Sequence, residues 1–314
     1  ISPNTKLIQQ HPDWVMRSAS YEPILGRSQL VLDLTNPDVQ KFIIDTLSQA
    51  IEDFGVNYVK WDMNRHLTDP FSQRGDFPAF EYGHRYMLGL YRIIDALTST
   101  YPQVLFENCS SGGGRLDPGM LYYFPQTWIS DNTDGLDRQE IQSGASNLFP
   151  ISSMTGHVSD VPNHQTNRTV PFDTRAALAS STNMGYEMDI IHLSEVEKEM
   201  IRQHLQAYKA ERELIMHGQF YRLLPPFEGN LCAWLFMDKA QEQAIVYVFR
   251  NRYQVFDLSL LVKIPYLDED GMYQIVGTDH VYSGSELAHC GLALDNNKGD
   301  FAVQKITLKK MESE

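Results

Sequence analysis

Two short segments each place an aspartate at the end of an apolar run, and the neighbours of the first suit work on a sugar. The first, Lys60-Trp61-Asp62-Met63-Asn64-Arg65, closes an apolar, β-rich run. Lys60 lies two residues before Asp62 and so shares its strand face, where a cation favours an ionised carboxylate and can hold a hydroxyl. Trp61 offers an apolar surface for a sugar ring. The second segment, Trp128-Ile129-Ser130-Asp131-Asn132-Thr133-Asp134, ends another such run. Asp137 precedes Glu140 as in a capping box, and Asp134 falls in the loop, which leaves Asp131 at the strand tip. Two carboxyl groups about 5–5.5 Å apart serve a retaining glycosidase, one as nucleophile and the other as acid/base. The plainer reading is a pair of unrelated aspartates that cap helices or anchor loops.

Between the two lies Asn108-Cys109-Ser110-Ser111-Gly112-Gly113-Gly114-Arg115. Its glycines let a ligand approach the backbone, but no G-K-[ST] follows, so it is not a phosphate loop. Asn108-Cys109-Ser110 and Asn167-Arg168-Thr169 match the N-glycosylation pattern, and the strand-tip position of the first argues against its use. His157, Asp160 and His164 follow no strong metal-ligand spacing, so no metal is expected, and no other cofactor.

Positioning a carboxylate pair requires a scaffold. From residue 29 to 218 a short apolar run, a loop and an amphipathic stretch recur, with runs at 30–34, 58–62, 104–109, 127–131, 151–158 and 184–190. Asn36-Pro37 opens a helix bearing Val39, Phe42, Ile43, Leu47 and Ile51 at helical spacing. Residues 80–99 carry Tyr86, Leu90, Ile93, Ile94 and Leu97 on one face. A helix over 194–217 starts at Ser194 and stops at Gly218. Strands alternating with helices predict a parallel sheet covered by helices. No G-x-G-x-x-G follows the first run, which leaves a dinucleotide site without support. Asp62, Asn108-Cys109, Asp131 and Asp189 close strands instead, as on the active-site face of a β/α barrel. The expected fold is α/β: a (β/α)8-type TIM barrel, incomplete at its N-terminal side, with six strands present and two before Ile1. Alternate barrel strands contribute to one layer, so Asp62 and Asp131, two strands apart, would face one pocket.

Beyond Gly218 the pattern changes. Alternating runs at 244–249 and 260–264 are separated by turn signals at Glu228-Gly229-Asn230, Asp270-Gly271 and Asn297-Lys298-Gly299-Asp300. They predict an antiparallel β-sandwich, which divides the chain into a barrel portion at 1–218 and a β-domain at 219–314. Cys232 and Cys290 are expected to be small buried hydrophobes there. Lys and Arg number 26 against 40 Asp and Glu, a net charge of −14, which argues against nucleic-acid or anionic-membrane partners. Three scattered cysteines suit a reducing compartment, the cytoplasm, and no apolar run is long enough to span a membrane. Ile1-Ser2-Pro3-Asn4 has neither an initiator methionine nor a signal segment and reads as the interior of a longer chain.

Taken in order, these segments resemble the α-galactosidases of glycoside hydrolase family 36, over nearly the whole chain. SPNTKLIQQHPDWV, GRSQ before LVLDL, KWDMNR, NCSSGGGR, WISDNTD, HVSDVPNHQT and GQFYRLLPPFEGN carry the resemblance. It implies that Asp62 is the nucleophile and Asp131 the acid/base. It further implies that Lys60, Trp61, Met63 and Asn64 line the galactose site, that Arg27 reaches into it, and that Cys109 and Gly112 lie near the sugar's 2-hydroxyl. The family's large N-terminal β-domain and first two barrel strands, which bring further aspartates and an aromatic wall to the pocket, are absent. Asn167 stands where the family usually has glycine. The implied reaction is retaining hydrolysis of terminal α-galactosides such as melibiose and raffinose, by a full-length homotetramer. Galactosyl transfer, an α-N-acetylgalactosaminide substrate and an inactive fragment are the rival readings.

Overall fold

A computed structural model describes residues 1–255, 260–296 and 298–312. The chain forms two units, Ile1–Trp128 and Ile129–Glu314, each with its own core. The first runs through α1 (Lys6–Gln10), α2 (Pro37–Phe54), β1 (Tyr58–Asp62), α3 (Tyr82–Thr100), β2 (Leu105–Cys109), α4 (Pro118–Tyr123) and β3 (Gln126–Trp128). α2 begins where its cap residues predict: the Asn36 side chain accepts the Asp38 amide at 2.9 Å and Pro37 takes the first helical position. β1, β2 and β3 pair in parallel, with Asp62 opposite Cys109 and Asn108 opposite Thr127. α3 buries Tyr86, Leu90, Ile93, Ile94 and Leu97, the face its spacing marks, against Val39, Phe106 and Phe124. Each such side chain stabilises the fold by roughly 1.5–3 kcal/mol. Gly89 brings α3 against the main chain at Leu34, where a Cβ would lie 1.9 Å from the carbonyl oxygen.

Residues 30–34 do not form the expected strand. Leu32 makes an isolated antiparallel bridge to Val15, the Met16 amide donates to the Val31 carbonyl at 2.9 Å, and the Asp33 amide donates to that of Trp14 at 2.7 Å. The segment thus satisfies its main chain through residues 14–16 rather than through a ladder beside β1. Among the described residues the parallel strands number five, not six.

The second unit continues with α5 (Asp137–Ala145), β4 (Met154–Ser159), α6 (Phe172–Ser180), β5 (Asn183–Glu187) and α7 (Glu195–His217), and β4 pairs with β5 in parallel. α7 carries the full capping box between Ser194 and Glu197, and its stop, Gly218, leaves no room for a Cβ, which would sit 2.3 Å from the Leu214 carbonyl oxygen. Asp137 does not cap α5. The Asp134 side chain does, accepting the Leu136 and Asp137 amides at 2.8 and 3.2 Å.

Then follow β6 (Gln219–Leu224), β7 (Leu231–Met237), β8 (Gln243–Arg250), β9 (Leu261–Val262), β10 (Met272–Ile275), β11 (Val281–Ser283), α8 (Gly284–His289), β12 (Leu292–Ala293) and β13 (Ala302–Lys310). Six of these make an antiparallel sheet in the order β11-β10-β13-β8-β7-β6. β9 and β12 pair as a ribbon, and Val262 and Leu292 join Leu235, Val246 and Leu308 in one core. Cys232 is buried, but Cys290 is exposed at the end of α8, contrary to expectation, because the helix stops there before Gly291 at φ 92°. The turn signal at Asn297 lies outside the described residues. No helix among the described residues is long and apolar enough to cross a membrane.

His204 on α7 lies 2.6 Å from Ser180 Oγ and 2.5 Å from the Tyr186 hydroxyl. Burial, helped by the Lys305 charge, pushes its pKa from the usual 6.5 down to about 4. The fold therefore prefers neutral imidazole, while the unfolded chain binds a proton below its own, higher pKa. Stability is lost as pH falls from about 6.5 to about 4, by on the order of 3 kcal/mol. Thermal melts across that range should fall more steeply for the wild type than for His204→Gln; equal slopes would refute the assignment.

Candidate active site

Asp62 closes β1 and stays exposed. The Asn64 side-chain amide donates to Asp62 Oδ2 at 2.5 Å, and its oxygen accepts the amide and the hydroxyl of Ser111, each at 2.9 Å. Ser111 thereby fixes which end of Asn64 faces the carboxylate. The Cys109 thiol also bonds Asp62. Burial pushes this thiol up to about 11 against the pull of the Gly112 amide, so it stays protonated and donates. Arg115 clamps the two strand ends, donating to the Trp61 and Cys109 carbonyls at 2.9 Å each; burial lowers its pKa. The Met63 amide donates to the Cys109 carbonyl at 3.1 Å, and the Tyr86 hydroxyl, raised by burial to about 12, lies 3.6 Å from the Met63 sulfur. Trp61, Asp62, Met63, Asn64, Tyr86 and Arg115 contribute to the wall of a cavity of about 240 Å³.

Trp61, Asp62, Met63, Asn64, Cys109 and Gly112 thus come together at the ends of β1 and β2. Lys60 looks elsewhere for its ion pair: its Nζ is 3.4 Å from Glu107 Oε1, across the β1–β2 ladder, and 4.8 Å from the centre of the Trp128 ring. Glu107 is buried and also receives the Tyr58 hydroxyl and, at 3.1 Å, the Gln126 amide. Arg27 is not part of the cavity wall. It sits exposed in a tight turn from Gly26 to Gln29, with φ of 51° at Arg27 and 59° at Ser28. Arg65 holds this turn, donating to the Gln29 carbonyl at 3.0 Å and to that of Ile24.

In the second unit Asp131 lies three residues beyond the end of β3, which is shorter than the apolar run suggests. It is exposed. Beside it the buried Arg138 donates to the Ser130 carbonyl at 2.6 Å. Burial pushes Arg138 down to about 10, while the negative charges of Glu187 and Asp131 oppose the fall. Asp134 is a structural anchor. Burial alone would raise its carboxyl, but hydrogen bonds from Thr166 and the Asp137 and Leu136 amides, together with the Arg168 charge, hold it below the usual range. Asn167 adopts φ 57°, a conformation natural for glycine and tolerated by asparagine, with its amide bonded to the Asn163 carbonyl at 2.8 Å. Asn108 is fully buried and bonded to the Arg115 carbonyl, which leaves it closed to glycosylation. Among the described residues no three His, Cys, Asp or Glu side chains are grouped to hold a metal ion. Glu107 and Arg138 escaped the sequence reading, Tyr86 entered it only as a position on the apolar face of α3, and Arg115 lay within a motif already singled out.

Parallel β/α units followed by an antiparallel sheet, with Asp62 closing one strand and Asp131 three residues past another, are the elements of an α/β protein of glycoside-hydrolase type. The chain belongs to the melibiase family: the Melibiase family model matches residues 1–218, and the glycosyl hydrolase family 36 C-terminal domain matches residues 231–308. Alpha-galactosidase AgaA of Geobacillus stearothermophilus is 46% identical over 99% of this chain and 43% of its own length. Alpha-galactosidase 1 of Pediococcus pentosaceus is 43% identical over 93% of this chain and 40% of its own. The AgaA crystal structure superposes with a TM-score of 0.96. That of the Lactobacillus brevis alpha-galactosidase, 37% identical, gives 0.94 over 100% of this chain and 44% of that one. Variants of AgaA have been solved with raffinose and with stachyose. The chain spans less than half the length of these relatives.

Proposed function

We propose that this chain carries the two catalytic carboxylates of a retaining α-galactosidase acting on terminal α-D-galactosyl groups of oligosaccharides such as melibiose and raffinose. The observation that carries this reading is the Asp62 carboxylate, held by Asn64 and Cys109 at a parallel strand end, in a chain 46% identical to an alpha-galactosidase. Asp131 gives its proton to the leaving oxygen while Asp62 attacks the anomeric carbon; the glycosidic bond breaks and a β-galactosyl ester forms. Asp131, now a carboxylate, takes a proton from water, whose oxygen displaces Asp62 and frees α-galactose. Trp61, Met63 and Asn64 line the galactose site and Cys109 and Gly112 lie toward the 2-hydroxyl; the family resemblance adds Lys60, which pairs with Glu107, and Arg27, which is exposed outside the cavity wall, as residues that meet the sugar in the full-length enzyme. Barrel strands from outside this chain complete an eight-stranded cylinder, the division falls at 218/219, and the C-terminal part is a sandwich. The full-length protein acts in the cytoplasm as a homotetramer, with the α-galactoside as its partner rather than nucleic acid or membrane. The family resemblance supports these assignments, and the charge of −14 supports the reading without nucleic acid or membrane.

The test is turnover of raffinose by the full-length enzyme, with the first-formed galactose anomer read by proton NMR. α-Galactose is expected; β-galactose as first product overturns the mechanism. A related expectation concerns Asn64. Asn64→Ala in the full-length enzyme should lower kcat about 10- to 100-fold with KM little changed, because a hydrogen bond to a charged group is lost. A rise in KM alone would make Asn64 a binding residue only.

A further inference from the structure

The second unit holds a cleft that the proposed chemistry does not use. α6, α7, β8 and β13 line it, and its volume, about 510 Å³, accommodates a ligand of monosaccharide size. Its polar groups are already organised. Ser180 Oγ and His204 lie 2.6 Å apart in its wall, and the other ring nitrogen of His204 lies 2.5 Å from the hydroxyl of Tyr186, which is not part of the wall. A neutral imidazole has one N–H, so these bonds run in one direction and leave a hydroxyl hydrogen at one end of this three-residue chain. Tyr247, wholly buried in the cleft wall, has a hydroxyl with no hydrogen-bond partner among the described residues. Such a group is costly unless something bonds it.

The chemistry of the lining selects the ligand. Lys305 is held by both carboxylate oxygens of Glu211, at 2.6 and 2.7 Å, and Asp173 adds a further negative charge, so an anion meets no spare cation. A wholly apolar ligand would leave the Tyr247 hydroxyl unpaired. Acyl transfer by Ser180 is disfavoured because the next two amides, of Ser181 and Thr182, already donate to Ala177 and Ala179 and cannot form an oxyanion hole. Phe172 and Ala177 supply apolar surface for the carbon face of a ring. We infer that this cleft is a second, non-catalytic binding site for a small uncharged polyhydroxy compound, a free monosaccharide or a cyclic polyol.

The experiment titrates the full-length protein with D-glucose, myo-inositol and inorganic phosphate by saturation-transfer NMR, with melting temperature and α-galactoside turnover read alongside. Saturable millimolar binding of glucose or myo-inositol, and none of phosphate, is expected. Tyr247→Phe should weaken it about 5- to 10-fold, the loss of one hydrogen bond, and Ala177→Leu, which fills the cleft, should abolish it. Turnover and melting should stay near wild type in at least one of the two variants. The inference is overturned if neither neutral probe binds, if phosphate binds as well as they do, or if both folded variants bind as the wild type does. None of these results touches the assignment of Asp62 and Asp131.

Discussion

Asp62→Ala in the full-length enzyme is expected to lower kcat by about 10,000-fold or more while the protein still folds. The side chain is exposed at the end of β1, so its loss opens no core cavity. What is lost is the atom that forms the covalent bond, and the Asn64 amide and Cys109 thiol are left without their acceptor. Azide, small enough to stand where the carboxylate stood, should restore turnover by attacking from the nucleophile's side, and the product should be β-galactosyl azide. Kinetics on 4-nitrophenyl α-galactoside with and without azide, followed by NMR of the product, check this. Residual activity above about one part in a hundred would remove Asp62 from the role.

Asp131→Ala should behave differently. Raffinose, whose leaving oxygen needs a proton, should lose about 100- to 10,000-fold in kcat/KM, whereas the nitrophenyl substrate, with its better leaving group, should lose far less at the first step. The galactosyl ester still forms on Asp62 and then waits for a base. Azide needs none, and it attacks from the opposite face to give α-galactosyl azide. Opposite azide anomers from the two variants distinguish nucleophile from acid/base; the reverse pairing would exchange the two roles.

Helices were the most legible part of this chain because their signals are local. Asn36 with Pro37, and Ser194 with Glu197, announce starts that the structure realises, and the buried face of α3 is the one its spacing marks. Strands were less legible because a strand exists only through its partner. Residues 30–34 have the composition of one and bond residues 14–16 instead. Trp128-Ile129 prolongs an apolar run, yet the β2–β3 ladder reaches only Glu107–Gln126 and Asn108–Thr127, so Asp131 belongs to a loop. Around Asp62 the strand neighbours were readable from the two-residue period. Its other supports were not. Ser111 meets Asn64 across 47 residues, and nothing in one sequence joins Glu107 to Lys60 or marks Arg138 as a buried charge beside Asp131. Such pairings arise from topology and burial, which a linear pattern records weakly.

The contact at Gly89 bears on how this lineage can change. The carbonyl facing it is that of Leu34, which is itself gripped by the Gln40 amide at 2.7 Å and cannot yield. Even a single methyl at position 89 has nowhere to go, so a saturation library there should return glycine almost alone. Evolutionary drift in that helix and in the 30–34 segment must therefore be concerted, with neither able to diverge without a matching change in the other.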